Sequence, residues 1–242
     1  MTPSFASRVR SLLASLALAA ALPLVTPIDA SAQVFGQAGN DVPLYGFGVP
    51  LYATVGQTFT AAVDGQLSAF SFWLGNEAPS PDANTVDADQ LRFRAYIMAW
   101  DGSASVGPVL YSSDITSGPT SNQQQFTFAP GSLMLTSGSS YVAFLSASGL
   151  FVQNPDFAFA AVGLSDESGL GGTSVFLDSG DDTDCFLETC NVAWQSGTDF
   201  SAPQLQFEIV VRTVPEPASV SLALIGLAGL TLAARRRRLT LR

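Results

Sequence analysis

The ten residues LRFRAYIMAW, at positions 91–100, alternate between two kinds of side chain more regularly than any other part of the sequence. One set consists of Leu91, Phe93, Ala95, Ile97 and Ala99, and the other of Arg92, Arg94, Tyr96, Met98 and Trp100. Because successive side chains of a strand point to opposite faces, this period of two predicts a β-strand whose first set faces a core. The turn signal Asp101-Gly102 follows at once and predicts the end of that strand.

The same pattern recurs through residues 33–213 in shorter pieces. Strands are predicted at 57–62, 67–74, 108–111, 126–128, 133–135, 141–146, 157–162, 174–177 and 205–212, and residues 33–55 as an irregular or edge-strand entry. Gly, Pro, Asp and Ser turns separate these strands and no helix pattern intervenes, so the body is predicted to be a single all-β sandwich. Residues 55–150 resemble the jelly-roll modules of exported bacterial proteins, a group that includes carbohydrate-binding modules.

Residues 1–32 have the three parts of a signal peptide. Arg8 and Arg10 supply the basic region, residues 12–22 the apolar region, and Ala30-Ser31-Ala32 the small-residue cleavage site. Signal peptidase is therefore expected to cut after Ala32. The alternative is an uncleaved signal anchor, in which two prolines would interrupt the membrane helix.

Residues 214–242 form a second apolar segment with defined flanks. The flanking residues are Val214, Pro215, Glu216 and Pro217 on one side and Arg235, Arg236, Arg237 and Arg238 on the other. The 17 residues from Ala218 to Ala234 carry no charge and would measure roughly 25 Å as a helix, slightly short of a hydrocarbon core of about 30 Å. Four arginines after a transmembrane helix predict a cytoplasmic C-terminus, with the body on the other side of the membrane.

This order of Pro-Glu-Pro, apolar helix and arginine cluster resembles the PEP-CTERM sorting domain. The resemblance implies recognition by an exosortase in a Gram-negative bacterium that makes exopolysaccharide. It further implies a transient stay in the inner membrane, removal of the helix, and transfer of the body to the outer surface or extracellular matrix. An ordinary membrane anchor that is never cut is the alternative.

The charge of the body excludes several functions. Residues 33–213 contain three arginines, no lysine and eighteen acidic residues, so their formal charge is −15. Nucleic acid is not an expected partner, because its binding depends on Lys and Arg at the phosphates. The chain has no His and no Lys, so Ser-His-Asp, Cys-His and Ser-Lys catalytic groups cannot form.

Two features of the body are candidates for loop stabilisation. Cys185 and Cys190 are expected to form a disulfide in an exported chain, with zinc as the alternative. The run containing Asp178, Asp181, Asp182 and Asp184 is a candidate calcium site, because carboxylate oxygens are the ligands that Ca²⁺ prefers. The alternative is a solvated acidic loop.

The outward aromatic residues Trp73, Tyr96 and Trp100 are candidates for stacking against sugar rings of an exopolysaccharide. The alternative is that loops cover them. We expect a non-enzymatic surface or matrix protein; a carboxylate-dependent glycan hydrolase is the second hypothesis, since glycoside hydrolysis needs only two carboxylates. A purely structural protein without a ligand is the third.

Overall fold

The structure is a computed structural model, and it describes residues 32–36, 43–49, 52–76, 88–151, 158–165, 172–179, 186, 192–196, 204–213 and 226. The predicted signal peptide up to residue 31, both cysteines and nearly all of residues 214–242 lie outside these ranges. Within them, no helix is long and apolar enough to cross a membrane.

The body is an all-β sandwich of two antiparallel sheets, as the sequence predicts. Sheet 1 contains eight described strands: β1 (Ala32–Gly36), β2 (Pro43–Val49), β4 (Gly65–Gly75), β8 (Gln124–Phe128), β9 (Met134–Leu135), β11 (Ala158–Ser165), β14 (Gln204–Leu205) and β15 (Phe207–Thr213). Sheet 2 contains seven: β3 (Thr54–Thr60), β5 (Arg92–Trp100), β6 (Ser105–Ser112), β7 (Thr116–Ser117), β10 (Ser140–Ser146), β12 (Ser174–Leu177) and β13 (Gln195–Ser196). A 3₁₀ turn, Ala88–Gln90, precedes β5.

The alternating stretch at 91–100 forms β5, which lies between β10 and β6 in sheet 2. Phe93, Ala95 and Ile97 are fully buried between the sheets, as predicted. Ala99 was predicted to face the core as well, but it is only half-buried and does not join the core. It lies near the end of β5, where the pairing with β6 shifts register between Ile97 and Ala99.

Phenylalanine rings from both sheets fill the core. The ring centroids of Phe59 in sheet 2 and Phe207 in sheet 1 are 5.8 Å apart, and within sheet 1 those of Phe72 and Phe207 are 4.9 Å apart. Burying each such side chain contributes about 1.5–3 kcal/mol. The apolar faces of the predicted strands therefore meet as the period-two pattern requires.

The entry segment is more regular than the sequence indicates. β1 pairs with β15 at the edge of sheet 1, and β2 pairs with β11. Phe47 of β2 is fully buried, with its ring 5.5 Å from that of Phe93. A Cβ atom at Gly48 would lie 2.3 Å from the Ala158 carbonyl oxygen, so the glycine permits the close pairing of β2 with β11. The prediction of an irregular segment is therefore wrong for residues 43–49, where Gly48 permits strand pairing.

Gln57 joins the two sheets through a buried side chain. It lies on β3 in sheet 2 and is 1% exposed. Its Oε1 accepts a hydrogen bond from the Leu205 backbone N–H of sheet 1 at 2.9 Å, and its Nε2 donates to the Thr58 carbonyl at 3.0 Å. Because a buried polar group must be hydrogen-bonded, the bond from Leu205 fixes the position of β14 against β3, and the bond to Thr58 satisfies the other end of the side-chain amide.

Candidate functional site

A second apolar cluster lies on the outer face of sheet 2. Its buried members are Met98, Val142, Phe144, Val175, Leu177 and Phe186, and the half-buried side chains around them are Tyr96, Trp100, Val109, Val192 and Trp194. The Tyr96 ring stacks on Phe144 with centroids 5.0 Å apart and an interplanar angle of 16°. Phe186, from the segment after β12, packs on both rings. We call this the outer cluster. It makes the outer face of sheet 2 apolar, and Phe186 and Trp194 cover part of that face.

The structure separates the three aromatic residues proposed for sugar stacking. Tyr96 and Trp100 lie on the same face of β5 and both pack in the outer cluster. Trp73 lies on β4 in sheet 1 and is half-buried, so it belongs to the other side of the sandwich. Met98, on the same outward set as Tyr96, is 1% exposed and lies in the same cluster as Phe186.

Trp100 is held in place by a chain of contacts. Its ring meets Trp194 edge to face, with centroids 5.7 Å apart and an angle of 88°. The Trp194 Nε1–H donates to Ser105 Oγ at 3.2 Å, and Ser105 Oγ–H donates to the Phe186 carbonyl at 3.1 Å. The indole of Trp100 therefore rests against a partner whose own orientation is fixed by hydrogen bonds.

Trp100 also lines a surface cleft of about 380 Å³. The other lining residues are Thr58, Phe59, Thr60, Gly102, Ser140, Gly172 and Thr173. This volume lies within the range of about 300–1,000 Å³ that is usual for small-molecule sites. The lining combines two aromatic residues, Trp100 and the buried Phe59, with several hydroxyl-bearing residues and contains no charged side chain.

The hydroxyl groups of the cleft come from neighbouring strands. Thr60 of β3 is the register partner of Ser140 of β10, and their hydroxyl oxygens are 3.3 Å apart at the exposed end of the cleft. Thr58 Oγ1 accepts from the Thr173 N–H at 2.8 Å and donates to the Thr173 carbonyl at 3.1 Å. The first pair therefore faces solvent, while the second fixes the chain before β12 against β3.

Two glycines border the cleft. A Cβ atom at Gly172 would lie 1.6 Å from the Thr58 carbonyl oxygen, so only glycine allows the backbone to approach β3 this closely. Gly102, in the turn after β5, has a φ of +105°, and a Cβ atom there would meet nothing within 4 Å. Backbone therefore forms one wall of the cleft, and no side chain at Gly102 narrows it.

Burial and hydrogen bonds change the titration of two residues near the site. Burial raises the pKa of Tyr96, and the nearby Arg94 guanidinium lowers it by less. Hydrogen bonds from the N–H groups of Ala104 and Ser103 and from the Ser103 hydroxyl lower the pKa of the fully exposed Asp101 carboxyl. Asp101 thus stays ionised at neutral pH and stabilises the turn beside the cleft.

The proposed calcium ligands and disulfide fall largely outside the described residues. Asp178 is described and is exposed, whereas Asp181, Asp182, Asp184, Cys185 and Cys190 are not described. Among the residues that the structure does describe, no three His, Cys, Asp or Glu side chains come together as a metal site would require. The calcium site and the disulfide remain predictions.

The sequence predicts the strand that contains Thr58 and Thr60, but nothing in it indicates that Ser140, Gly172 and Thr173 lie beside them. Thr60 and Ser140 are 80 positions apart in sequence and Thr58 and Thr173 are 115 apart, and only the pairing of the strands brings them together. No short motif marks such a site.

The end of β15 at Thr213 coincides with the start of a family match. Residues 213–238 match the family model of the PEP-CTERM protein-sorting motif. A search of curated proteins found no match. One solved structure, "the cysteine protease and lectin-like domains of Cwp84, a surface layer associated protein of Clostridium difficile", is similar with a TM-score of 0.40 and 14% identity over 67% of this chain. The match spans 32% of that structure's chain, and at this TM-score it supports no argument about function.

Proposed function

We propose, starting from the PEP-CTERM protein-sorting motif that this chain carries at residues 213–238, that the protein is a secreted exosortase substrate. Signal peptidase removes residues 1–32, and the helix within residues 214–242 holds the body at the inner membrane until exosortase cuts near Pro217. The β-sandwich then passes to the outer surface or extracellular matrix of a Gram-negative bacterium.

The position of the motif relative to the fold supports this sequence of events. β15 ends at Thr213, so the matched motif begins where the last core strand ends. Ala32, the residue before the predicted signal-peptidase cut, is the register partner of Arg212 on β15. Neither cut therefore removes a residue of the described hydrophobic core.

We further propose that the body binds exopolysaccharide and catalyses no reaction. The observation that supports this best is the cleft beside Trp100, with its fixed indole and neutral hydroxyl groups. The absence of His and Lys from the whole sequence leaves carboxylates as the only acid–base pair for hydrolysis. A binding role needs no such pair and uses the features that the cleft has.

Co-sedimentation tests the binding. The mature protein, recovered from the producing strain, is mixed with that strain's own exopolysaccharide in calcium and, separately, in EDTA. We expect the protein in the polysaccharide pellet in both buffers, because no carboxylate lines the cleft. Protein that stays in the supernatant in both buffers would refute the proposal. Sedimentation in calcium alone would mean that the cleft is not the binding site and would favour the Asp178–Asp184 run instead.

A further inference from the structure

We infer that the cleft beside Trp100 is a binding site for an uncharged stretch of polysaccharide, with the indole as its stacking surface. The inference rests on the proposed binding of exopolysaccharide and adds the place of binding and the class of sugar. Three independent properties of the cleft support it, namely a fixed aromatic ring, paired neutral hydroxyls and the absence of charge.

The first property is the fixed ring. A pyranose has one face of C–H groups, and burying this face on an indole removes apolar surface from water at about 25 cal/mol per Å². Trp100 is half-buried, with Trp194 against it and the cleft beside it. Because the edge-to-face contact with Trp194, which is itself hydrogen-bonded to Ser105, already restrains the Trp100 indole, little rotamer entropy is lost when a sugar binds.

The second property is the hydroxyl pair at the open end. A hydroxyl both donates and accepts hydrogen bonds, and so do the hydroxyls of a sugar. Thr60 is exposed, and its oxygen lies 3.3 Å from that of the half-buried Ser140. This distance is long for an O–H···O bond, so the bond between the two hydroxyls is weak. Replacing it with hydrogen bonds to sugar hydroxyls therefore costs little free energy.

The third property is the absence of charge. None of the eight lining residues is ionisable at neutral pH, and the nearest turn carries the ionised Asp101. The body as a whole has a formal charge of −15. A uronic-acid or sulfated chain would meet repulsion here and no arginine or lysine to neutralise it, whereas a neutral hexose chain meets neither obstacle.

The test uses exopolysaccharide of the producing strain, separated by anion exchange into a neutral and an acidic fraction. Each fraction is cast into a native gel, and the retardation of the mature protein is measured in EDTA. We expect retardation by the neutral fraction only. Retardation by the acidic fraction alone would overturn the inference and leave the proposed binding intact, whereas retardation by neither would overturn both.

Four variants locate the site. Trp100→Ala should weaken binding to the neutral fraction at least tenfold, and Trp100→Phe, which keeps a flat ring, should weaken it less. Thr60→Glu adds a charge at an exposed position where folding tolerates it, and should weaken binding by a similar factor. Trp73→Ala, on the other sheet, is the matched control and should change binding by less than twofold. Unchanged binding by both Trp100→Ala and Thr60→Glu would overturn the site while the polysaccharide binding stands.

Discussion

Replacing Gln57 with leucine removes a buried side-chain hydrogen bond between the two sheets. Leucine has nearly the same size, so the substitution leaves no large cavity, but it cannot accept the hydrogen bond from the Leu205 N–H. Leu205 is only 5% exposed, so water does not easily reach its N–H to replace the lost acceptor. We therefore expect Gln57→Leu to fold and to be clearly less stable.

The magnitude follows from the two bonds that are lost. Leaving a buried donor without a partner costs about 1–3 kcal/mol, and losing the bond to the Thr58 carbonyl adds about 0.5–1.5 kcal/mol. Leucine recovers part of this by burying more apolar surface. We expect the free energy of unfolding to fall by about 2–3 kcal/mol and the melting temperature by roughly 4–12 °C for a domain of this size.

Urea unfolding of the mature protein, followed by tryptophan fluorescence, measures this loss. The midpoint should fall while the slope stays the same, because the surface exposed on unfolding is unchanged. Gln125→Leu, at an exposed position on β8, is the control and should stay within about 0.5 kcal/mol of wild type. A Gln57→Leu protein as stable as that control would refute the reasoning that this bond holds the sheets together.

Three further predictions concern the cleft, the outer cluster and catalysis. Gly172→Ala should lower the free energy of unfolding by about 1–3 kcal/mol, because the added Cβ would lie 1.6 Å from the Thr58 carbonyl oxygen; a thermal melt with no shift would contradict this contact. Burial raises the pKa of Tyr96 above its ordinary 10.0, so this residue's contribution to stability is complete below about pH 10 and is lost as the pH rises through the folded-state pKa. Melting temperatures measured between about pH 9 and 11 should fall less steeply for Tyr96→Phe than for wild type. Tyr111, whose pKa burial also raises, accounts for part of the slope that remains. Equal slopes for the variant and wild type would contradict the raised pKa of Tyr96. Incubation with the strain's polysaccharide should release no reducing ends, and their steady release would support the hydrolase hypothesis instead.

The alternation of side chains was enough to predict most strands of the body. The strand predicted at 174–177 is observed as β12, Ser174–Leu177, and that at 67–74 lies inside β4, Gly65–Gly75. Phe70, Phe72 and Leu74 of β4 face the core at every second position, as a period of two requires, whereas β12 is buried on both faces and appears in the sequence as a short apolar run. Residues 43–49 carry Pro and Gly, and their strand β2 depends on close pairing with β11, which no local pattern indicates.

The candidate site could be predicted only in part. Trp100 and Tyr96 appear in the sequence as outward aromatic residues, and the structure places both in the outer cluster. What covers them, Phe186 and Trp194, comes from a segment about 90 residues later in the chain. The pairing of Thr60 with Ser140 depends on the register of β3 with β10, and register is set by the packing of the whole sheet.

Whether the C-terminal segment is a removable sorting tag is decided by the intact mass of the protein recovered from its own cells. The protein is compared between the producing strain and a strain that lacks exosortase. We expect the first to have lost residues 1–32 and the apolar segment after Pro217, and the second to have lost only residues 1–32. A mass that still includes residues 218–242 in the producing strain would mean that the segment is a permanent membrane anchor, and would contradict delivery of the body to the surface.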